Sequence, residues 1–272
     1  MAKDIPEATY LKDYRPPAYL VEQVELHFDL QPRDTIVAAE LLMRRNADHG
    51  DDQMALSLDG EDMELVSLSV DGTELSSSEF FVDQGGLSIA AVPELFRLNI
   101  VTKIAPADNT NLEGLYQSDG IFCTQCEAEG FRRITYFPDR PDVMTTYRVT
   151  IQAAKAACPI LLSNGNLVDS GDLDHGRHYA VWDDPFPKPS YLFGLVAGDL
   201  HWLEDGFVTQ SGRQVALRIY TNPGNEGRCV YAMDALKRSM RWDEEKYGLE
   251  YDLDLFNAVS YTHLTLPTNR EV

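Results

Sequence analysis

From Leu20 to Ile104 the chain is written in short alternations of apolar and polar residues. Val24, Leu26, Phe28 and Leu30 alternate with Glu25, His27 and Asp29, the period-two pattern of a strand with one buried face. Gln31 to Asp34 predicts a turn, and Ile36 to Met43 the returning strand. Leu65, Leu68 and Val70 lead into Asp71-Gly72, a hairpin-type turn signal. Gly85-Gly86 separates Phe80-Phe81-Val82 from Leu87-Ser88-Ile89, and Phe96, Leu98 and Ile100 alternate again. Strands this close together predict an antiparallel sandwich or saddle-shaped sheet rather than alternating β-α units.

Tyr116 to Asp142 interrupts the pattern with a segment rich in Gln, Glu, Asp, Arg and aromatic residues. It reads as a surface loop held by a rigid scaffold, where function concentrates. Strands resume with Tyr147, Val149 and Ile151, the short run Pro159 to Leu162, and Tyr179 to Trp182. Asp184 to Pro189 predicts a proline-rich turn, and Tyr191 to Ala197 an apolar strand ending at Gly198-Asp199. A domain boundary is expected there. Phe207-Val208 and Val215 to Tyr220 then predict further strands. One helix is expected from Glu226 to Tyr247, with Val230, Met233, Leu236 and Met240 on its apolar stripe and Gly248 as its stop. Asp234, Lys237, Arg238 and Arg241 are placed on its outer face. Leu253 to Val259 reads as a strand, whereas Tyr261 to Val272 fits no pattern and reads as a non-native tail.

The 272 residues can bury a substantial core, and 44% hydrophobic content is that of a globular protein. A net charge of −21 argues against nucleic-acid and anionic-membrane partners, which need a positive footprint. The start, MAKDIPEATYLKDYRPP, has no apolar h-region. No window reaches the roughly 18 apolar residues of a membrane span. A cytoplasmic, monomeric protein is expected. Cys123, Cys126, Cys158 and Cys229 are too few and scattered for a disulfide framework. Cys123-Thr-Gln-Cys126 lacks the second ligand pair of a structural zinc site. It is also not set at the start of a helix, as a thioredoxin-like motif would be. Buried thiols are the expectation. Asp174 to His178 holds two histidines around Gly176 and reads as an exposed hairpin turn. No His-Glu-x-x-His, Gly-x-Ser-x-Gly or phosphate loop occurs.

Gln125 and Glu127 remain. A carboxylate gives a charge-assisted hydrogen bond to a protonated amine, and a neutral amide oxygen can add an acceptor. Two apart on an extended segment, they would project to one side. That spacing permits an amine site without diagnosing it.

Several longer motifs resemble the zinc aminopeptidase N family of metallopeptidases, of the bacterial alanyl-aminopeptidase type. They are Leu112 to Ser118, Cys123 to Arg132, Tyr136, Pro138 to Asp142, Leu162 to Asn166, Asp184 to Pro189, Trp242 to Glu245 and Gly248 to Leu253. The likeness runs from Tyr10 to Val259. It implies a mainly β amino-terminal domain over residues 1–198 and the opening of a thermolysin-like α+β catalytic domain over 199–260. It also implies that Gln125 and Glu127 bind the α-amine of peptide substrates and that Gln117 to Phe131 lines a first-residue pocket. The resemblance implies zinc in the complete enzyme, bound further along by elements that this chain, departing from the family at Ser260, does not carry. The chain is expected to be an amino-terminal fragment, inactive alone and binding no metal. The whole enzyme would act on small, basic or apolar first residues. A non-catalytic β-sandwich module that binds peptides or proteins is the alternative, and a redox or zinc module on Cys123 and Cys126 a third.

Overall fold

The computed structural model describes residues 10–50 and 55–260. With strands numbered in chain order, the largest sheet has eight, each beside the next. The order is β13 (Asn166–Leu173), β14 (Arg177–Lys188), β11 (Thr145–Ala154), β1 (Tyr19–Asp29), β2 (Thr35–Arg45), β8 (Leu95–Ile104), β4 (Glu64–Val70) and β5 (Thr73–Glu74). A four-stranded sheet follows the order β12 (Ile160–Ser163), β15 (Leu195–Gly198), β10 (Ile121–Gln125) and β9 (Gly114–Ser118). A third sheet joins β3 (Leu56–Asp59), β7 (Gly86–Ile89) and β6 (Phe80–Asp83). The last holds β16 (His201–Val208), β17 (Gln214–Thr221) and β18 (Leu255–Val259). The single α-helix of the described residues, α1, spans Val230–Tyr247.

Register explains why the period-two pattern works. Tyr147, Val24, Leu41, Leu98 and Val70 stand opposite one another across five strands. Their neighbours Val149, Leu26, Ala39, Ile100 and Leu68 form the next row on the same face. These rows enter one core together with Leu115, Phe122, Phe131, Phe137, Leu161 and Leu195 from the segments packed over them. Pairing is mostly antiparallel, but β1–β11 and β17–β18 are parallel. Both parallel pairs are joined by long connections, as parallel pairing requires.

Three expectations change, and one strand is added. The polar stretch Tyr116 to Asp142 is largely interior: it opens with the β9–β10 hairpin, and Phe131, Ile134, Tyr136 and Phe137 are buried. The prolines of Asp184 to Pro189 do not end a strand, because β14 continues to Lys188. Its register with β11 jumps from Tyr147↔Asp184 to Thr145↔Lys188. Pro185 and Pro187 thus fall in a bulge, where a missing N–H breaks no ladder bond. The strand drawn from Tyr191 is a 3-10 turn at Ser190–Leu192, with β15 only at its end. Strand β13 carried no alternation, since it is an edge strand with most residues exposed.

A second cluster unites Phe207, Val215, Leu217 and Ile219 with Cys229, Met233 and Met240. Met233 and Met240 face inward as the helical spacing requires, while Val230 at the helix start is exposed. Gly248 adopts φ +66° and its N–H caps the helix at the Glu244 carbonyl, 3.1 Å away. Buried Glu244 accepts from the Gln210 N–H at 3.0 Å, and Arg213 donates to the carbonyls of Leu253 and Tyr251. Helix, hairpin and β18 are joined by these bonds. The residues after Ser260, read above as a tail, lie outside the described residues.

Leu41 has no exposed surface at the centre of the eight-stranded sheet. Leu41→Ala is expected to lower the unfolding free energy by about 2–5 kcal/mol, measured by urea titration. Val66→Ala, at a position 53% exposed, should change it by less than about 0.5 kcal/mol.

Candidate functional site

The β9–β10 hairpin turns at Asp119-Gly120, where both residues have positive φ (50° and 81°). That is the geometry of a two-residue primed turn, which Asp-Gly favours. The dipeptide, flanked by Tyr116 and Phe122, was the available signal for this hairpin. Strand β10 pairs with β9 on one side and β15 on the other, so its backbone is held from both edges. Thr124 Oγ1 also accepts from the Leu195 N–H at 2.8 Å. Gln125 is the last residue of this strand.

Beyond it the extended backbone stops. Cys126 is buried, and the Gly130 N–H closes a turn onto its carbonyl at 2.8 Å. Glu127, Ala128 and Glu129 project from that turn. Gln125 and Glu127 are therefore brought together by the turn rather than by strand alternation. The Gln125 Nε2 donates to the Glu127 carbonyl oxygen at 3.1 Å. A Cβ on Gly130 would lie 2.2 Å from the Gln125 carbonyl oxygen and 2.9 Å from the Gly114 nitrogen. Only glycine lets the chain fold back this closely.

The far end of the turn is anchored in the core. The Phe131 ring is fully buried, with ring centroids of Phe137, Phe193 and Tyr147 at 4.9, 5.2 and 6.2 Å. The next two residues are arginines, Arg132 turned chiefly to Asp139 and Arg133 to Glu61 and its neighbours, with Glu61 also 4.0 Å from Arg132. Arg132 gives its backbone N–H (3.1 Å) and Nε (3.2 Å) to Asp139 Oδ2, and its Nη2 to the Asp139 carbonyl. Asp139 Oδ1 accepts from Ser190 Oγ at 2.5 Å, and its own N–H reaches Asp59 Oδ2 at 3.0 Å. Burial opposes the Arg132 charge, but Asp139, Asp59 and Glu129 outweigh it and raise its pKa. Arg133 meets Glu61 at 2.6 Å, Asp62, and Glu113 at 3.4 Å.

Glu129 is engaged by Arg132 at 3.4 Å. The Glu127 carboxylate makes no hydrogen bond or ion pair among the described residues. It is an exposed carboxylate beside a half-buried amide, on a backbone tied down at both ends. Such a pair can accept hydrogen bonds from an ammonium group. Of the segment Gln117 to Phe131, only the two ends of the hairpin and the turn reach the surface, since Ile121, Phe122, Cys123, Cys126 and Phe131 are buried.

No group of three or more His, Cys, Asp or Glu side chains is placed to hold a metal among the described residues. These residues do not fit a zinc centre. His175 and His178 sit in and after the β13–β14 turn, and His178 Nε2 contacts the Cys158 carbonyl oxygen at 2.6 Å. No helix of the described residues is long and apolar enough to cross a membrane.

A family described as the peptidase M1 N-terminal domain matches residues 21–192. Aminopeptidase N of Caulobacter vibrioides is 55% identical over 96% of this chain and 30% of that protein. Aminopeptidase N of Escherichia coli is 49% identical over 94% and 29%. The structure of Legionella pneumophila aminopeptidase A in complex with aspartic acid matches with a TM-score of 0.87 and 36% identity. It covers 92% of this chain and 30% of that one. An M1 zinc metallopeptidase of Deinococcus radiodurans shares the fold at a TM-score of 0.74 and 16% identity, over 89% of this chain and 56% of that one. The chain thus spans about 30% of the length of the curated relatives it matches.

All four cysteines are free and buried, as expected of interior thiols. Burial raises Cys123 and Cys158 from 9.0 to about 11 and Cys126 further still, with Asp139 adding to the effect. The native thiols should be silent toward a chromogenic disulfide reagent at pH 8 and react on unfolding. An unfolded thiol loses its proton first, so this contribution to stability is whole below about pH 9. It is lost as the pH rises from 9.0 toward 11. Thermal melts across that range should show a falling midpoint, on top of which Cys123→Ala reduces the slope.

Proposed function

The chain belongs to the M1 aminopeptidase family, and on that premise we propose that it is the amino-terminal part of a zinc aminopeptidase that removes residues from the free amino end of peptides. Its share of the work is recognition. Residues 1–198 form the amino-terminal β domain in this reading, and 199–260 open the catalytic domain. The zinc and the cleavage chemistry belong to parts of a longer enzyme beyond the described residues, so this portion alone is inactive. The parent enzyme is cytoplasmic and monomeric, with peptides as its partners.

The observation that carries the proposal is the unpaired Glu127 carboxylate held next to Gln125 at the end of β10. An exopeptidase must distinguish a peptide's terminal ammonium from an internal amide. A carboxylate accepts a charge-assisted hydrogen bond from the ammonium, whereas an uncharged amide N–H gains much less from it. Gln125 Oε1 is free to accept as well, because its Nε2 is the atom committed to the Glu127 carbonyl. That bond fixes which end of the amide faces outward. Fixing the amine fixes the distance from the terminus to the bond that is cut, which is how one residue is counted off. The outward residues of the turn, Glu127 to Glu129, supply part of the wall of the first-residue pocket.

In the full-length enzyme, Glu127→Ala should lower kcat/KM for L-alanyl-p-nitroanilide by about 10–100-fold, the loss of one charge-assisted hydrogen bond. Steady-state kinetics within twofold of the wild type would remove Glu127 from the site.

A further inference from the structure

We propose that Asp139 is a positioning residue for amine recognition: it holds the Arg132 guanidinium away from Glu127, so that the exposed carboxylate stays free for the substrate's ammonium. This rests on the reading of Glu127 as the amine-binding group. The geometry is specific. Arg132 stands five residues after Glu127, at the end of the same turn, and already touches that turn through Glu129 Oε1 at 3.4 Å. Its stronger attachment is to Asp139, whose side chain is 1% exposed against 16% for Arg132. Three donors of Arg132 converge there, two on Oδ2 and one on the carbonyl.

Asp139 cannot follow the guanidinium outward. Ser190 Oγ holds its second oxygen, and Asp59 holds its N–H. The Arg132 carbonyl is fixed in turn by the Glu61 N–H at 3.0 Å. A buried, doubly held carboxylate therefore keeps a cation turned inward at the base of an exposed acidic turn. Remove its charge, and Arg132 keeps Glu129 of its own turn at 3.4 Å and Glu61 at 4.0 Å as carboxylate contacts, with Glu127 the exposed, unengaged carboxylate of the same turn. An intramolecular cation competes with the ligand at high effective concentration. The arrangement also explains how Glu127 escapes pairing with an arginine so close in sequence, while Glu61, Asp62, Glu113 and Glu129 are all engaged.

The test uses full-length enzyme and L-alanyl-p-nitroanilide, with KM and kcat measured separately. Asp139→Asn preserves shape and an acceptor for the Arg132 N–H but removes the charge. It should raise KM roughly tenfold with little change in kcat, the pattern of lost uniform binding. Two double variants then separate positioning from general support. Asp139→Asn/Arg132→Gln should bring KM back to within about threefold of the wild type, because the competing cation is gone. Asp139→Asn should add nothing to Glu127→Gln, because both act on one group. If adding Arg132→Gln leaves KM no better than Asp139→Asn alone, or if the effects add to those of Glu127→Gln, the proposal is overturned. Should Asp139→Asn fail to fold, Ser190→Ala loosens the same carboxylate with both charges kept. It is then expected to raise KM about threefold, and an unchanged KM overturns the proposal. Glu127→Gln alone is the control for the underlying reading. If it leaves KM unchanged, amine binding by Glu127 falls. If it raises KM and Asp139→Asn does not, only the positioning role falls.

Discussion

Phe131 gives up all contact with water among Phe137, Phe193 and Tyr147, and the position of the turn before it follows from that burial. Tyr147 belongs to the central rows of the eight-stranded sheet, so the ring is attached to the main core rather than to a local patch. Burying a phenylalanine is worth about 1.5–3 kcal/mol, and each well-placed ring contact about 0.5–1.5 more. A partly exposed ion pair rarely matches this after desolvation. The aromatic cluster therefore sets where the turn lies. The pair Arg132–Asp139 decides something finer, which way one cation points.

Between Gln125 at the end of a doubly paired strand and Phe131 in the core, the backbone has five residues with which to make its reversal. The glycine at 130 is the consequence, since any side chain there would overlap the Gln125 carbonyl. Rigidity at both ends limits the entropy lost when a ligand is bound, and this is what makes two exposed side chains useful as a clamp. The large negative charge of the chain works in the same direction. With 44 acidic against 23 basic side chains, arginines are scarce. Those near the turn are already committed to carboxylates from β3–β4 and from the segment after Phe137.

The second cluster, around α1 and β17–β18, is tied together by polar groups as much as by apolar ones. Arg213, Glu244 and Glu250 each satisfy backbone groups of a neighbouring segment. Such bonds contribute about 1 kcal/mol each, but breaking one leaves a partner unsatisfied at a higher cost. They hold β18 parallel to β17 across a connection that contains the whole helix. The Leu253 to Val259 run was legible as a strand, yet nothing in its composition says that its neighbour runs parallel.

Local sequence determined most of the sheet. Val24 to Leu30, Ile36 to Met43 and Phe96 to Ile100 became strands where alternation placed them, because one buried face forces a period of two. Gly248 ended the helix because only a residue at ease with positive φ can cap it there. The family was legible from the ordered motifs between Leu112 and Leu253. Where the sequence misled, a nonlocal partner had reversed a local preference. Polar residues in Tyr116 to Asp142 suggested a surface loop, but their aromatic neighbours found a core supplied by β11 and by Phe193. Pro185 and Pro187 suggested a stop, but a bulge against β11 absorbed them. The acidic character of Glu127 is equally visible in the sequence, whereas its freedom from a partner is not. That depended on carboxylates at positions 59, 61, 62 and 139 arriving around Arg132 and Arg133, and only tertiary packing brings together charges so far apart along the chain.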